Sequence, residues 1–421
     1  MGSLMPNTAP RSATRPPGRK TQLLRLASEL FAAKGYPNVS VAQIASAAGV
    51  TAPSIYRHFL DKQAILGEAV LDAIRSLEEV TTPELTFDEF VIEMTSVTVG
   101  RPDLAVLWRW GVLHLGPEWR ATIRERSRAL LDRWTTSIRM LRPELGPDEA
   151  RMLARAMASA VSSAIVRPGR LSSTKHASAL AGVVRRTVSA QLPPPVRRDG
   201  PLAPVHVEEL PVGGRREQLL GAASELFLAR GFASVGVDEL GAAVGISGPS
   251  VYRHFPDKQA VLAAVCLRGV RRLVGQVEAE FALLKNGGPA ERLTALIRAH
   301  TSALLSSPDL VVAGSIGTVE LAGPAGQEAR DFLRAHVTCW TTALLQLDEM
   351  AALPANGEAS PVRGATGGGL SPAEAKVIVY AALTLANDLA RTKATRDRPN
   401  LEAEMTALMT CAVGLQQRPP G

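Results

Sequence analysis

Between residues 23 and 31 the apolar side chains fall at steps of three and four: Leu23, Leu26, Ala27, Leu30 and Phe31. That spacing lays them along one stripe of a helix. Gly35 ends the run. A shorter stripe follows in "VAQIASAA", with Val41, Ile44 and Ala45 inward and Ser40 placed as its cap. Gly49 supplies a tight turn, and Thr51 stands as cap to a third segment, "APSIYRHF". There Ala52, Ile55 and Phe59 share one side, and Pro53 falls in the first turn, where a missing N–H costs little. Asp61 is placed to cap a fourth helix. Two short helices joined through a glycine turn predict a helix-turn-helix whose second member reads a groove.

The whole pattern then returns. "GRREQLLGAASELFLARGFASVGVDELGAAVGISGPSVYRHFPDKQAVL" from Gly214 lies on the segment from Gly18 without a gap. About half of the paired positions are identical. Beyond it the likeness fades but persists: "RPDLAVLWRW" answers "SPDLVVAGSI", and "GPDEARMLARAMASAVSSAIVR" answers "SPAEAKVIVYAALTLANDLAR". The chain therefore reads as a duplicated unit of about 200 residues. The expected divisions are a disordered basic tail (1–17), a first helix-turn-helix domain (18–66) and a first helical bundle (67–191). A Pro- and Gly-rich linker (192–213), a second helix-turn-helix domain (214–262) and a second bundle (263–421) follow. A flexible insertion at 353–372 interrupts the last.

Composition agrees with helices: aromatic residues are 4% of the 421, and Ala, Leu and Arg dominate. A formal net charge of +7 attracts polyanions without naming one. Cys266, Cys339 and Cys411 have no CxxC spacing, and no pair of histidines stands at ligand spacing, so neither disulfides nor a metal is expected. No phosphate loop, nucleophile elbow or dinucleotide fingerprint occurs, so neither cofactor nor enzymatic activity is expected. No run approaches the ~18 apolar residues of a membrane span, and the first residues lack an apolar core of signal type. Cytoplasmic residence is the expectation.

On the reading helix, Pro53, Ser54 and Arg57 point away from the core, while Tyr56, Arg57, His58 and Lys62 gather donors suited to phosphate oxygens. The run "SVAQIASAAGVTAPSIYRHF", its "YRHF-x-DK" ending and their repetition at 236–255 resemble the TetR family of one-component transcriptional regulators. The resemblance implies an all-α fold of two tandem units, each a helix-turn-helix bundle followed by a bundle for ligand binding and dimerisation. It implies double-stranded operator DNA as partner. DNA contacts would fall on Ser40, Gln43, Thr51, Ala52, Pro53, Ser54, Tyr56, Arg57, His58 and Lys62. In the second copy they would fall on Ser247, Gly248, Pro249, Ser250, Tyr252, Arg253, His254 and Lys258. The family usually pairs two chains, whereas one chain here carries both halves. The last two helices of each unit, 148–166 with 172–191 and 372–391 with 400–415, are expected to form an intramolecular four-helix interface and so a pseudo-dimer.

A repressor released by a small apolar effector, such as a lipid-derived molecule, is the expected mode. Pocket candidates are Trp108, His114 and Trp134 in the first bundle and Thr318, Glu320 and Trp340 in the second. The alternatives are a helix-turn-helix that serves protein interaction without specific DNA binding and, more remotely, a small-molecule-binding helical enzyme. The copies differ at two points near the reader: Ser40 becomes Gly236, losing a cap, and Gln43 becomes Glu239. A carboxylate there repels phosphate, so the second reader is expected to hold DNA less firmly.

Overall fold

The computed structural model describes residues 18–166, 169, 171–194, 214–315, 321, 323–352 and 369–415. The tail, most of the expected linker and most of the 353–372 insertion lie outside them. The fold is all-α, and no strand occurs among the described residues. The first half runs α1 (Arg19–Lys34), α2 (Val41–Ala47), α3 (Ala52–Tyr56), α4 (Lys62–Glu79), α5 (Phe87–Gly100), α6 (Pro102–Trp110), α7 (Pro117–Leu141), α8 (Pro147–Ser162) and α9 (Ser173–Val188). The second runs α10 (Arg215–Arg230), α11 (Val237–Ala243), α12 (Gly248–Val251), α13 (Lys258–Ala282), α14 (Pro289–Ser306), α15 (Pro308–Ser315) and α16 (Gly323–Ala352). It closes with α17 (Pro372–Arg391), α18 (Lys393–Arg396) and α19 (Leu401–Ala412).

Local chemistry sets these boundaries. Ser40 and Gln43 form a capping box, the Ser40 hydroxyl accepting from Gln43 N–H at 3.2 Å and the Gln43 side chain accepting from Ser40 N–H at 2.8 Å. Asp61 accepts from Ala64 N–H and Asp257 from Ala260 N–H, both at 2.7 Å, so α4 and α13 start alike. The turns between the paired helices pass through Gly49 (φ +65°) and Gly245 (φ +71°), backbone that side-chain-bearing residues rarely adopt. Arg19 and Arg215 reach back to the carbonyls of Ala48 and Val244, bracing the ends of α2 and α11.

The two halves meet through α8, α9, α17 and α19. Helix α17 packs on α8 and α9, and α19 packs on α9. The contact is built from small side chains: Ala150, Ala154, Ala156, Ala160, Ala375, Ala381, Ala382 and Ala386 are all fully buried. Small residues let helix backbones close up, and the buried apolar surface stabilises the join at about 25 cal/mol per Å². Polar ties cross it as well. Arg186 donates to the Ala412 carbonyl at 2.8 Å, with burial pushing its pKa down to about 10. Arg109 grips both oxygens of Asp388, at 2.9 and 3.1 Å. A single set of buried side chains continues from the first reader domain across this seam, while the second reader domain is built around its own cluster.

Candidate nucleic-acid interface

Each reader is anchored by one apolar edge: Ile55 and Phe59 in the first copy, Val251 and Phe255 in the second, all buried. Fixing that edge exposes the other. Thr51, Pro53, Tyr56, Arg57 and His58 are exposed in the first copy, with Ala52 and Ser54 half-buried. In the second, Ser247, Pro249, Tyr252 and Arg253 are exposed and Ser250 and His254 half-buried. Tyr56 and Tyr252 have the same exposure, 54%, so the two copies present the phenol alike. At the start of each reader two hydroxyls bond one another, Thr51 with Ser54 at 3.0 Å and Ser247 with Ser250 at 2.9 Å.

That pairing corrects one expectation. The Thr51 side chain caps no N–H of α3, nor does Ser247 cap α12. Pro53 and Pro249 carry no N–H, and the next amides, Ser54 and Ser250, donate to the Thr51 and Ser247 carbonyls at 3.0 and 2.9 Å, so what each reader presents at its start is the hydroxyl pair, which can donate or accept. Such a pair of hydroxyls suits a base edge, which offers both donors and acceptors. Ser40 and Gln43 are exposed but already satisfy one another in the capping box, so reaching DNA would mean exchanging those bonds.

The lysines depart further from expectation. Lys258 donates to the carbonyls of Phe232 (3.0 Å) and Val235 (2.9 Å) and lies 4.4 Å from the Phe232 ring centre. Lys62 lies 4.2 Å from the ring centre of Tyr36. Burial lowers both ammonium pKa values. These lysines tie the start of α4 and α13 to the short 3₁₀ turns at 36–38 and 232–234, because a cation gains from a π face and from carbonyls that end a turn. The Arg57 and Arg253 guanidiniums are the cations left outward.

The expected source of asymmetry also shifts. Glu239 pairs with Arg230 at 2.6 Å and accepts from Gly236 N–H at 2.8 Å, which replaces half of the lost capping box and occupies its charge. The carboxylate that matters is one the sequence reading passed over, Asp238. Gly248 is buried, and a Cβ placed on it would fall 1.8 Å from Asp238 Oδ1. In the first copy the corresponding residues are Ala52 and Ala42. The exchange is reciprocal: the acid takes the volume that the glycine gives up, and a negative group sits against the head of the second reader. Gly248 is thus a packing position, not an exposed contact. The signal was available as a paired substitution between the copies.

Of the pocket candidates, Trp108 and Trp134 line a cleft of about 620 Å³. Trp134 is its buried floor, donating its indole N–H to Thr81 at 3.0 Å. His114 is elsewhere, stacked on Tyr36 with ring centres 5.2 Å apart, its pKa lowered by burial and by Lys62. Trp340 is fully buried and donates to His336 at 2.9 Å. Thr318 and Glu320 lie outside the described residues. The cleft also differs from an apolar one, since six of its lining residues are arginines. Among the described residues no group of three His, Cys, Asp or Glu side chains could hold a metal, and no helix is long and apolar enough to cross a membrane.

Residues 23–69 and 219–265 each match the family described as bacterial regulatory proteins, tetR family. The chain is similar to the HTH-type transcriptional activator FasR of Mycolicibacterium smegmatis, 41% identical over 90 residues, which is 21% of this chain and 40% of the relative. It is also similar to the HTH-type transcriptional repressor KstR2 of the same species, 36% identical over 64 residues, 15% of this chain and 31% of the relative. The chain thus spans less than half the length of these curated relatives. Among solved structures, the TetR family regulator PfmR from Thermus thermophilus aligns with a TM-score of 0.36 and 20% identity, over 48% of this chain and 100% of that one.

Proposed function

The chain carries two tetR-family domains in tandem, and we propose that it is a sequence-specific DNA-binding transcriptional regulator acting as a single-chain pseudo-dimer. One observation carries the reading: two readers with equal outward phenols and arginines are fixed to halves joined by a buried four-helix seam. An operator with two related half-sites matches such a pair, because each half-site meets one reader. Exposed Arg57 and Arg253, with Tyr56, Tyr252, His58 and His254, would hold phosphates, and the hydroxyl pairs Thr51–Ser54 and Ser247–Ser250 would meet base edges. The half-sites are unequal in strength, with Asp238 weakening the second.

The mode we propose is repression relieved by a ligand held in the helical bundles. FasR is named an activator and KstR2 a repressor, so the sign is tested directly by transcription from the operator with and without the protein. Selection of bound duplexes from a random library, with the stoichiometry of the best complex, tests the rest. A bipartite site bound by one chain supports the reading. Two unrelated half-sequences, or two chains on an extended site, overturn the pseudo-dimer. Absence of any enriched site removes the DNA reading altogether. Arg57→Ala would weaken binding to every sequence and reduce the salt slope by about 0.9 for the phosphate lost.

A further inference from the structure

We propose that the cleft where the two halves meet binds a multiply charged anion of the diphosphate class. Its walls come from α6, α7 and α8 of the first half and from the end of α17 through α18 of the second. Six arginines line it, Arg109, Arg124, Arg128, Arg151, Arg155 and Arg391, against one lining carboxylate, Asp388. Three of the six are engaged by acids: Arg109 holds Asp388 at 2.9 Å, Arg391 shares the same acid at 3.5 Å, and Arg151 holds Asp132 at 2.6 Å. Arg124, Arg128 and Arg155 have no hydrogen-bond or ion-pair partner among the described residues. Arg155 is half-buried, and the charges of Arg151 and Arg398 act against its own.

Like charges gathered in a partly desolvated cleft raise the free energy of the empty state, and a bound polyanion relieves it. Guanidinium forks match phosphate oxygens two at a time, and several forks around one cavity favour a ligand with more than one phosphate. A cavity of about 620 Å³ leaves room beside such a head group for a ring or short apolar group over Trp108.

The second half provides an internal control. Arg124 and Arg128 correspond to Arg330 and Arg334, but there the charges are used up: Arg330 donates to the Leu321 carbonyl and to Gln327, and Arg334 pairs with Asp331. Arg151 and Arg155 correspond to Lys376 and Tyr380. The open cationic set belongs to the first half alone. An anion drawing on Arg109 and Arg391 would also compete with Asp388, the acid that ties α6 to α17 across the seam. Occupancy would then change how the halves are held, and with it the spacing of the readers. That consequence rests on the regulatory reading above; the binding does not.

The test uses the full chain without DNA. Tryptophan fluorescence and calorimetry follow titration with inorganic pyrophosphate and with ADP, against orthophosphate and adenosine as controls. One saturable site per chain, tighter for pyrophosphate and ADP than for orthophosphate and silent to adenosine, is the expected result. Arg124→Ala and Arg155→Ala should each weaken it about tenfold or more, the loss of a charge-assisted contact. Asp132→Asn releases Arg151 and should tighten binding severalfold, a gain that misfolding cannot imitate. Arg330→Ala should leave it unchanged. No saturation, or saturation indifferent to Arg124, Arg155 and Asp132, overturns the site. Operator binding measured on the same variants without ligand separates this failure from failure of the DNA reading.

Discussion

The two halves fasten reader to bundle by different chemistry, although the readers themselves are nearly alike. In the first half the joint leans on aromatic contacts beside the ion pairs Lys20–Glu68 and Arg101–Asp103: His114 from the turn after α6 stacks on Tyr36, and the Gln63 side chain accepts from Gly116 N–H at 3.2 Å. Trp119 lies against Gly67 of α4, so closely that a Cβ there would be 2.3 Å from the indole. In the second half the joint is charged. Asp309, fully buried at the start of α15, accepts from Arg268 at 2.7 and 2.8 Å, from Arg272 at 2.9 Å and from the Ser224 hydroxyl of α10. Arg268 also reaches Glu217 of α10 at 3.0 Å. One acid thereby links reader, connecting helix and bundle. Duplication preserved the face turned outward and left each joint free to find its own solution.

Removing that acid should separate the halves most sharply. Asp309→Asn leaves two arginines without their buried counter-charge, at a cost of about 3–5 kcal/mol in urea unfolding. The corresponding Asp103→Asn, which loses one neighbouring arginine, Arg101, should cost about 1–2 kcal/mol. Equal losses would mean that Asp309 is no keystone.

Acid should then act on the second half by preference. His336 is held neutral by burial, its pKa lowered to about 4, and His300, stacked on it at 5.3 Å, is lowered well below its usual value. An unfolded histidine takes up its proton near pH 6.5, so stability is full above that pH and falls as pH drops toward 4. For His336 alone the loss is on the order of 3 kcal/mol. The first half has Met94 and Leu130 at these positions. His300→Met with His336→Leu should flatten the melting temperature between pH 7 and pH 4.5; an unchanged slope would place the pH sensitivity elsewhere.

Gly67→Ala should cost about 1–3 kcal/mol in thermal unfolding by displacing Trp119. The second copy already has Ala263 and Ala325 at the corresponding places, so the glycine gains a methyl where the tryptophan is lost. Smallest in free energy, Asp238→Ala should tighten binding to the weaker half-site severalfold, by removing a negative group from the reader's head. Gly248→Ala should be harmful alone and tolerated with Asp238→Ala, since together they recreate the first copy's pair. Gel-shift titrations on isolated half-sites would measure both.

Much of this architecture was legible in the residues. Helix period, cap and glycine turn locate both readers, and a turn of ~100° per residue puts Ala52, Ile55 and Phe59 on the one inward side. The four helices of the seam follow from the family resemblance, which gives dimerisation to the last two helices of each unit, and one stretch dense in Ala and Ser, 154–166, supports it. What escaped was set by contacts distant in sequence. Lys62 and Lys258 look like free cations until Tyr36 and Phe232 are brought against them by the fold. Glu239 looks repulsive until Arg230 is seen beside it. The cleft escaped for the same reason, its arginines being drawn from α6, α7, α8 and α17, which no local pattern relates. Burial of tryptophan was readable; which tryptophan borders open space was not.

The seam through α8, α9, α17 and α19 has a consequence for dosage and inheritance. Two halves on one chain cannot be diluted apart, so even a handful of molecules in a cell would keep both readers paired, where separate subunits would drift into singles. Nor can a half be exchanged with a related protein. Each copy has accordingly been free to mutate without its twin changing in step, as the two unlike joints record.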